Sequence, residues 1–205
     1  MKLTAIAVAL ILFIIVSCAV QKATINTYVD PNYQSGRINK IAVFPIRNTR
    51  LAPSESQQIN RKISMALKQR NAQIEIMSSA EAIRLLNDYD LADDWAVFLD
   101  NYVTSGVPDS KILGEIGNAL NVDAILQGEI VNIFQEDGQV GYGGNRGTTR
   151  VTVRFTMLDV KDGKLIWESS SDGIKGTATK LESAPPIIDA VNLAVDKILT
   201  SLPPI

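Results

Sequence analysis

One thiol, Cys18, and no histidine stand beside 22 carboxylates and 20 basic side chains in a chain of 205 residues. This inventory removes most catalytic chemistry. An imidazole base, a Cys–His nucleophile pair and the Cys/His ligand sets of zinc all need residues absent from the sequence. What remains is carboxylate chemistry. The densest acids are Asp88, Asp90, Asp93, Asp94 and Asp100. Their order lacks the ligand spacing and central glycine of a calcium loop, so they read as helix caps and solvated turns. No two carboxylates have a spacing that defines an acid–base pair. The run Gly141-Tyr142-Gly143-Gly144-Asn145-Arg146-Gly147 has the composition of a phosphate loop. Such a loop needs a helix N-terminus after it, and here the following residues alternate as a strand, so the run reads as a hairpin tip. The chain is therefore not expected to be an enzyme, and no cofactor, metal or small-molecule substrate is expected. Trp95, Phe98 and Tyr102 share one helical face. That stripe is either core or, if exposed, a face for a protein partner.

Cys18 takes its meaning from what precedes it. Lys2 opens the chain, an apolar run spans residues 5–16, and Ser17 closes it. A cation, a short apolar middle and a small-residue end make a secretory signal peptide; a membrane span needs about 20 apolar residues. The closing Ile15-Val16-Ser17-Cys18 resembles the bacterial lipobox. The resemblance implies cleavage before Cys18, which becomes the lipidated N-terminus and the membrane anchor. Ala19 follows in place of the aspartate of inner-membrane retention, so the expected location is the periplasmic side of the outer membrane. Loss of Lys2 takes the formal charge from −2 to −3. A near-neutral, slightly acidic chain is a poor ligand for nucleic acid. With its only thiol lipidated, it has no disulfide, and the core alone must hold the fold in an oxidising compartment.

The elements expected after Cys18 begin with a tether. Residues 18–37 are polar and carry the turn signals Asp30-Pro31-Asn32 and Ser35-Gly36, so they read as a lipidated flexible linker, a coil averaging about 24 Å end to end. Residues 38–205 then form one domain. Lys40-Ile41-Ala42-Val43-Phe44 is apolar on both faces, as a central strand is, and Pro45 interrupts its ladder. Ser54-Glu55-Ser56-Gln57 has capping-box form ahead of a helical stripe of Ile59, Ile63, Ala66 and Leu67. A short strand over 73–77 follows. Helices are expected after Ser78, over 93–102 and after Asp109. A strand over 124–134, an alternating strand over 150–160, the turn Lys161-Asp162-Gly163-Lys164 and a return strand over 165–169 make a three-stranded meander. Residues 170–183 read as loop. A closing helix carries Ile187, Val191, Ala194, Ile198 and Leu202, and Trp167 should pack beneath it. The fold class is α+β: a single mixed sheet with helices packed on it, ending in the meander and the closing helix.

Three stretches carry a resemblance. Ile41-Ala42-Val43-Phe44-Pro45-Ile46-Arg47-Asn48-Thr49, Leu120-Asn121-Val122-Asp123-Ala124-Ile125-Leu126-Gln127-Gly128 and Asp162-Gly163-Lys164-Leu165-Ile166-Trp167 are similar to the curli secretion channel lipoprotein (CsgG) family. The same core resembles the lipoprotein LpoB and the amino-terminal domain of TolB. This implies an envelope lipoprotein that works by binding a protein partner or copies of itself. The alternative it implies is a subunit or accessory of a CsgG-type secretion channel. Residues 135–150 and 169–183 are too polar and glycine-rich to supply membrane-spanning strands, which favours the binding protein.

Overall fold

The computed structural model describes residues 20–48 and 50–205; the leader over 1–17 and Cys18 lie outside the described residues. Six strands form one mixed sheet in the order β1-β6-β5-β4-β2-β3. They are β1 (Gln21–Val29), β2 (Lys40–Val43), β3 (Glu75–Met77), β4 (Ala124–Glu136), β5 (Thr148–Asp159) and β6 (Leu165–Gly176). The five helices among the described residues are α1 (Pro53–Arg70), α2 (Ser79–Asp88), α3 (Ala92–Ser105), α4 (Ser110–Leu120) and α5 (Ile187–Leu199). The α+β class, the single mixed sheet, the meander and the closing helix are all present.

Two apolar layers flank the sheet. On one face, Ile59, Ile63 and Leu67 of α1 and Ala190, Val191, Ala194, Val195 and Ile198 of α5 pack on Ile41, Val43, Val151, Val153, Phe155, Met157 and Trp167. Trp167 lies beneath α5 as expected, and its indole N–H donates to the Ser201 carbonyl at 2.9 Å, which satisfies its polar atom within the core. On the other face, α2, α3 and α4 pack on Ala42, Phe44, Ile125, Leu158 and Val160. β2 sits between parallel β3 and β4, with side chains buried into both layers. Its ladder skips at Pro45 and resumes beyond it, where the Arg47 N–H donates to the Gly128 carbonyl at 2.7 Å. A side chain at Gly128 would enter the Phe155 ring, so only glycine lets the two strands carry that ring between them.

Three local expectations are corrected. The first is the tether. Residues 21–29 form β1, antiparallel to β6 in unbroken register from Gln21↔Lys175 to Val29↔Trp167. The domain therefore reaches back to at least Gln21. Ala23 and Ile25 are its half-buried residues; an edge strand with one thin apolar row shows no strong alternation. The second concerns β6, which runs to Gly176 and does not stop at Ser169. Its inward residues past Trp167 are Ser169, Ser171 and Gly173. A side chain at Gly173 would strike the Ala190 carbonyl of α5. Small inward residues let the helix sit close, and their polarity imitates a loop. The third is the α1 cap: the helix starts two residues early, with Ala52 at the N-cap in place of Ser54, Pro53 in its first turn and the Glu55 carboxylate accepting from the Ala52 N–H at 2.8 Å. Ser78 and Asp109 cap α2 and α4 as their spacing predicts.

Candidate partner interface

The aromatic stripe on α3 runs inward. Phe44 and Trp95 have ring centroids 4.3 Å apart, Trp95 and Phe98 5.2 Å, and Phe98 and Tyr102 5.9 Å. Trp95 is 6% exposed and Phe98 1%, so the reading of Trp95, Phe98 and Tyr102 as a partner face is corrected. Trp95 and Phe98 are core, held there because α3 must cover Phe44. Only Tyr102, at the outer end of the stack, reaches the edge of that layer. The cleft beside it has a volume of about 20 Å³, room for roughly one water.

Tyr102 borders a surface that no motif announced. Helices α2 to α4 cover β2, β3 and the near ends of β4 and β5, and leave the same face of β4-β5-β6-β1 open. Cross-strand rows on it are fixed by register: Glu129↔Arg154↔Ser170↔Asn26, then Asn132↔Thr152↔Asp172↔Thr24. The groups hold one another. Arg154 Nε donates to Glu129 Oε1 at 2.7 Å, with a second bond from its Nη2, and Thr152 donates to Asp172 at 2.6 Å. Burial alone would lower the Arg154 pKa, but the Glu129 hydrogen bond and charge, with Glu168 behind, raise it, so the guanidinium stays charged. Burial raises the Tyr102 pKa, and Glu168 adds to it, so its hydroxyl stays protonated. The result is a pre-set polar platform on a rigid sheet.

The platform ends at β1, one of the two edge strands among the described residues. In an antiparallel pair, backbone groups alternate between those facing the neighbour and those facing away. Among the described residues nothing pairs with the outer side of β1, so along nine residues a row of its N–H and C=O groups faces away from the sheet. Proteins blunt such edges with charged side chains, proline, bulges, short length or a covering element, and Lys22 near its start is the one charge on β1. β1 contains no proline, keeps unbroken register with β6, and exposes Asn26, Thr27, Tyr28 and Val29.

Elsewhere the acids are engaged structurally. A groove of about 780 Å³ between β2, α4 and the β5 end holds Asp123 and Asp159. Asp123 accepts from the backbone N–H groups of Asn39 and Lys40, and Asp159 accepts from the Lys161 N–H and pairs with Arg37 at 3.0 Å. Of the acid-rich stretch, Asp88 pairs with Arg84 and Asp100 with Arg47, while Asp93 and Asp94 lie in the first turn of α3. Among the described residues no three potential metal ligands converge, and no helix is long and apolar enough to cross a membrane.

This fold has solved neighbours. The PelC dodecamer from Paraburkholderia phytofirmans aligns with 17% identity and a TM-score of 0.47, over 87% of this chain and 96% of that one. Lipoprotein GNA1162 from Neisseria meningitidis aligns with 17% identity and a TM-score of 0.41, over 79% and 99%. The LpoB C-terminal domain from Salmonella enterica aligns with 13% identity and a TM-score of 0.41, over 70% and 86%. Likeness at this level is a likeness of chain path. No family model and no curated protein sequence matches the chain.

Proposed function

We propose that this protein is a lipid-anchored binding and assembly protein of the bacterial cell envelope, held at the membrane through Cys18 and acting by protein–protein contact without catalysis. The observation that carries the reading is the outer edge of β1, which no described strand pairs. A nine-residue edge strand beside a pre-set polar face is a template for strand addition. The occupant is a protein segment in extended conformation, from an envelope partner or from a second copy. A placement on the periplasmic face of the outer membrane belongs to the same reading and rests on Ala19 after the lipobox-like cysteine.

The test is site-specific photocrosslinking in intact cells. A photoreactive residue replaces Asn26 on β1 or, as a control, Met65 on the exposed side of α1. A discrete adduct from position 26 and not from 65 is expected, and its mass separates a partner from a second copy. Adducts absent from 26, or equal from both positions, would sink the edge reading. Discrete channels in planar bilayers from the purified lipidated protein would restore the secretion-channel alternative.

A further inference from the structure

Val20, the first described residue, is joined to the far end of the sheet. Its carbonyl accepts from the Gly176 N–H at 2.8 Å, and Gly176 pairs with Thr148 at the start of β5. Two peptide units separate Val20 from Cys18. Consecutive Cα atoms are about 3.8 Å apart, so the Cα of Cys18 lies within about 7.6 Å of that of Val20 whatever path residue 19 takes. The headgroup layer on each side of a bilayer is about 5–8 Å thick, from a core of about 30 Å within a total of about 40–45 Å. If Cys18 carries the anchor, as the proposed function holds, the sheet end has no slack with which to leave the headgroups.

The same end carries the most exposed apolar side chains among the described residues. Residues 137–147 and 177–186 pack on each other there. Gly138 donates to the Glu182 carbonyl at 3.1 Å, the Thr177 N–H to the Gly147 carbonyl at 2.9 Å, and the Ala184 N–H to the Asp137 carboxylate at 2.7 Å. A side chain at Gly138 would strike the Lys180 carbonyl, so the two segments are fitted closely. From this double tip Val140 projects 73% exposed, Leu181 81% and Tyr142 completely. The tip's acids make local hydrogen bonds while staying exposed: Asp137 accepts from the Ala184 N–H, and Glu182 from the Thr179 hydroxyl at 2.6 Å. Lys22, Lys175 and Lys180 flank the tip, where long cationic side chains reach phosphates while their stems lie along apolar surface.

We infer that residues 137–147 and 177–186 form a second, non-covalent membrane contact: Val140, Tyr142 and Leu181 seat in the headgroup–acyl boundary beside the Cys18 anchor. Tyrosine suits that depth because its ring is apolar and its hydroxyl stays wet. A protein contact of this kind fixes the orientation of the anchored chain. With the sheet end seated in lipid, the strands stand off the bilayer, and the β1 edge and the polar face are presented sideways.

The test places tryptophan at the tip of the full acylated chain in phosphatidylethanolamine–phosphatidylglycerol vesicles. Tyr142→Trp and Leu181→Trp should show emission shifted to the blue and quenched by lipids brominated near the glycerol end of the acyl chain. Met65→Trp on α1 should show neither. Mass spectrometry reports separately whether Cys18 is acylated. If it is not, the anchor reading fails alone, and coupling the single thiol to a maleimide lipid supplies the tether for the same measurement. Tip tryptophans that match the Met65→Trp control on tethered protein would overturn the inference. A blue shift that follows protein concentration and ignores bromolipid would overturn it too, since a second copy would then cover the tip.

Discussion

At one end of β5 the chain turns into β6 through residues 161–164; at the other it arrives from β4 through residues 137–147. Both connections need glycine in the left-handed region, with φ of 67° at Gly163, 133° at Gly141 and 85° at Gly143. They are otherwise opposites. A side chain at Gly163 would come within 2.6 Å of the Ser110 side chain at the start of α4, whereas nothing lies within 4 Å of one at Gly141 or Gly143. The first turn is braced by Arg37 and Lys164 on Asp162 and sits next to Trp167 and Val160 in the two cores. The second packs on itself and on residues 177–186, and points apolar side chains outward. One end of the meander is built for stability and the other for contact. The same residue type serves steric fit in one and exposure in the other.

The largest test of that contrast is Trp167→Ala. Truncating a buried tryptophan costs about 3–5 kcal/mol, a large share of the roughly 5–15 kcal/mol that holds a domain. Thermal unfolding followed by circular dichroism should show a sharply lower Tm; an unchanged Tm would remove the closed end from the core. Next come the glycines. Gly163→Ala carries the left-handed backbone penalty of about 1–2 kcal/mol plus overpacking against Ser110 of about 1–3 kcal/mol. Gly143→Ala carries the backbone penalty alone. Urea midpoints at equal m-value should rank them in that order, and equal losses would mean that the Ser110 contact yields without cost.

Two smaller effects sharpen the comparison. At Asp162, burial raises the pKa, but hydrogen bonds from Lys164 and Arg37 outweigh it and leave it below the ordinary 3.8. A depressed folded pKa stabilises above the unfolded value and is lost as pH falls through the folded one. Asp162→Asn should therefore flatten part of the acid side of the stability profile, by at most about 1 kcal/mol for an exposed pair, and leave neutral-pH folding nearly intact. A profile parallel to that of the parent protein would place its acid sensitivity elsewhere. Last, Tyr142→Ser at the open end should change stability by no more than about 0.5 kcal/mol. A clear drop in Tm would make that tyrosine a structural residue and weaken the contrast at its open end.

What the sequence made legible follows the range of the forces involved. The stripes of α1 and α5, the alternation of β5, the caps at Ser78 and Asp109 and the turn at Gly163 are written in residues that neighbour one another. β1 is not. Its partner lies about 145 residues away, as in the Thr27–Ser169 hydroxyl contact, and its single apolar row of Ala23 and Ile25 is too thin to signal a strand. The far half of β6 was hidden for a related reason: Ser169, Ser171 and Gly173 are small because α5 presses on them, and small polar residues look like loop. The candidate interface needs those two strands beside β4 and β5, so it could not be read before the topology was known. Trp95 and Phe98 fell the other way, since a helical aromatic stripe has the same spacing whether it faces a partner or Phe44.

The register of β1 also sets an order of events in time. β1 is the first described element to be synthesised, and its ladder partner ends at residue 176. At about 5–20 residues per second, roughly 7–30 s separate the two during synthesis. Through that interval residues 21–29 have no strand to pair with, and closing so long a loop is the slow kind of contact. The sheet can assemble from β5 and β6 outward, and β1 completes it last. A chain fastened at Cys18 would make that final pairing beside the bilayer, so the sheet would be finished at the membrane surface and its open edge created there.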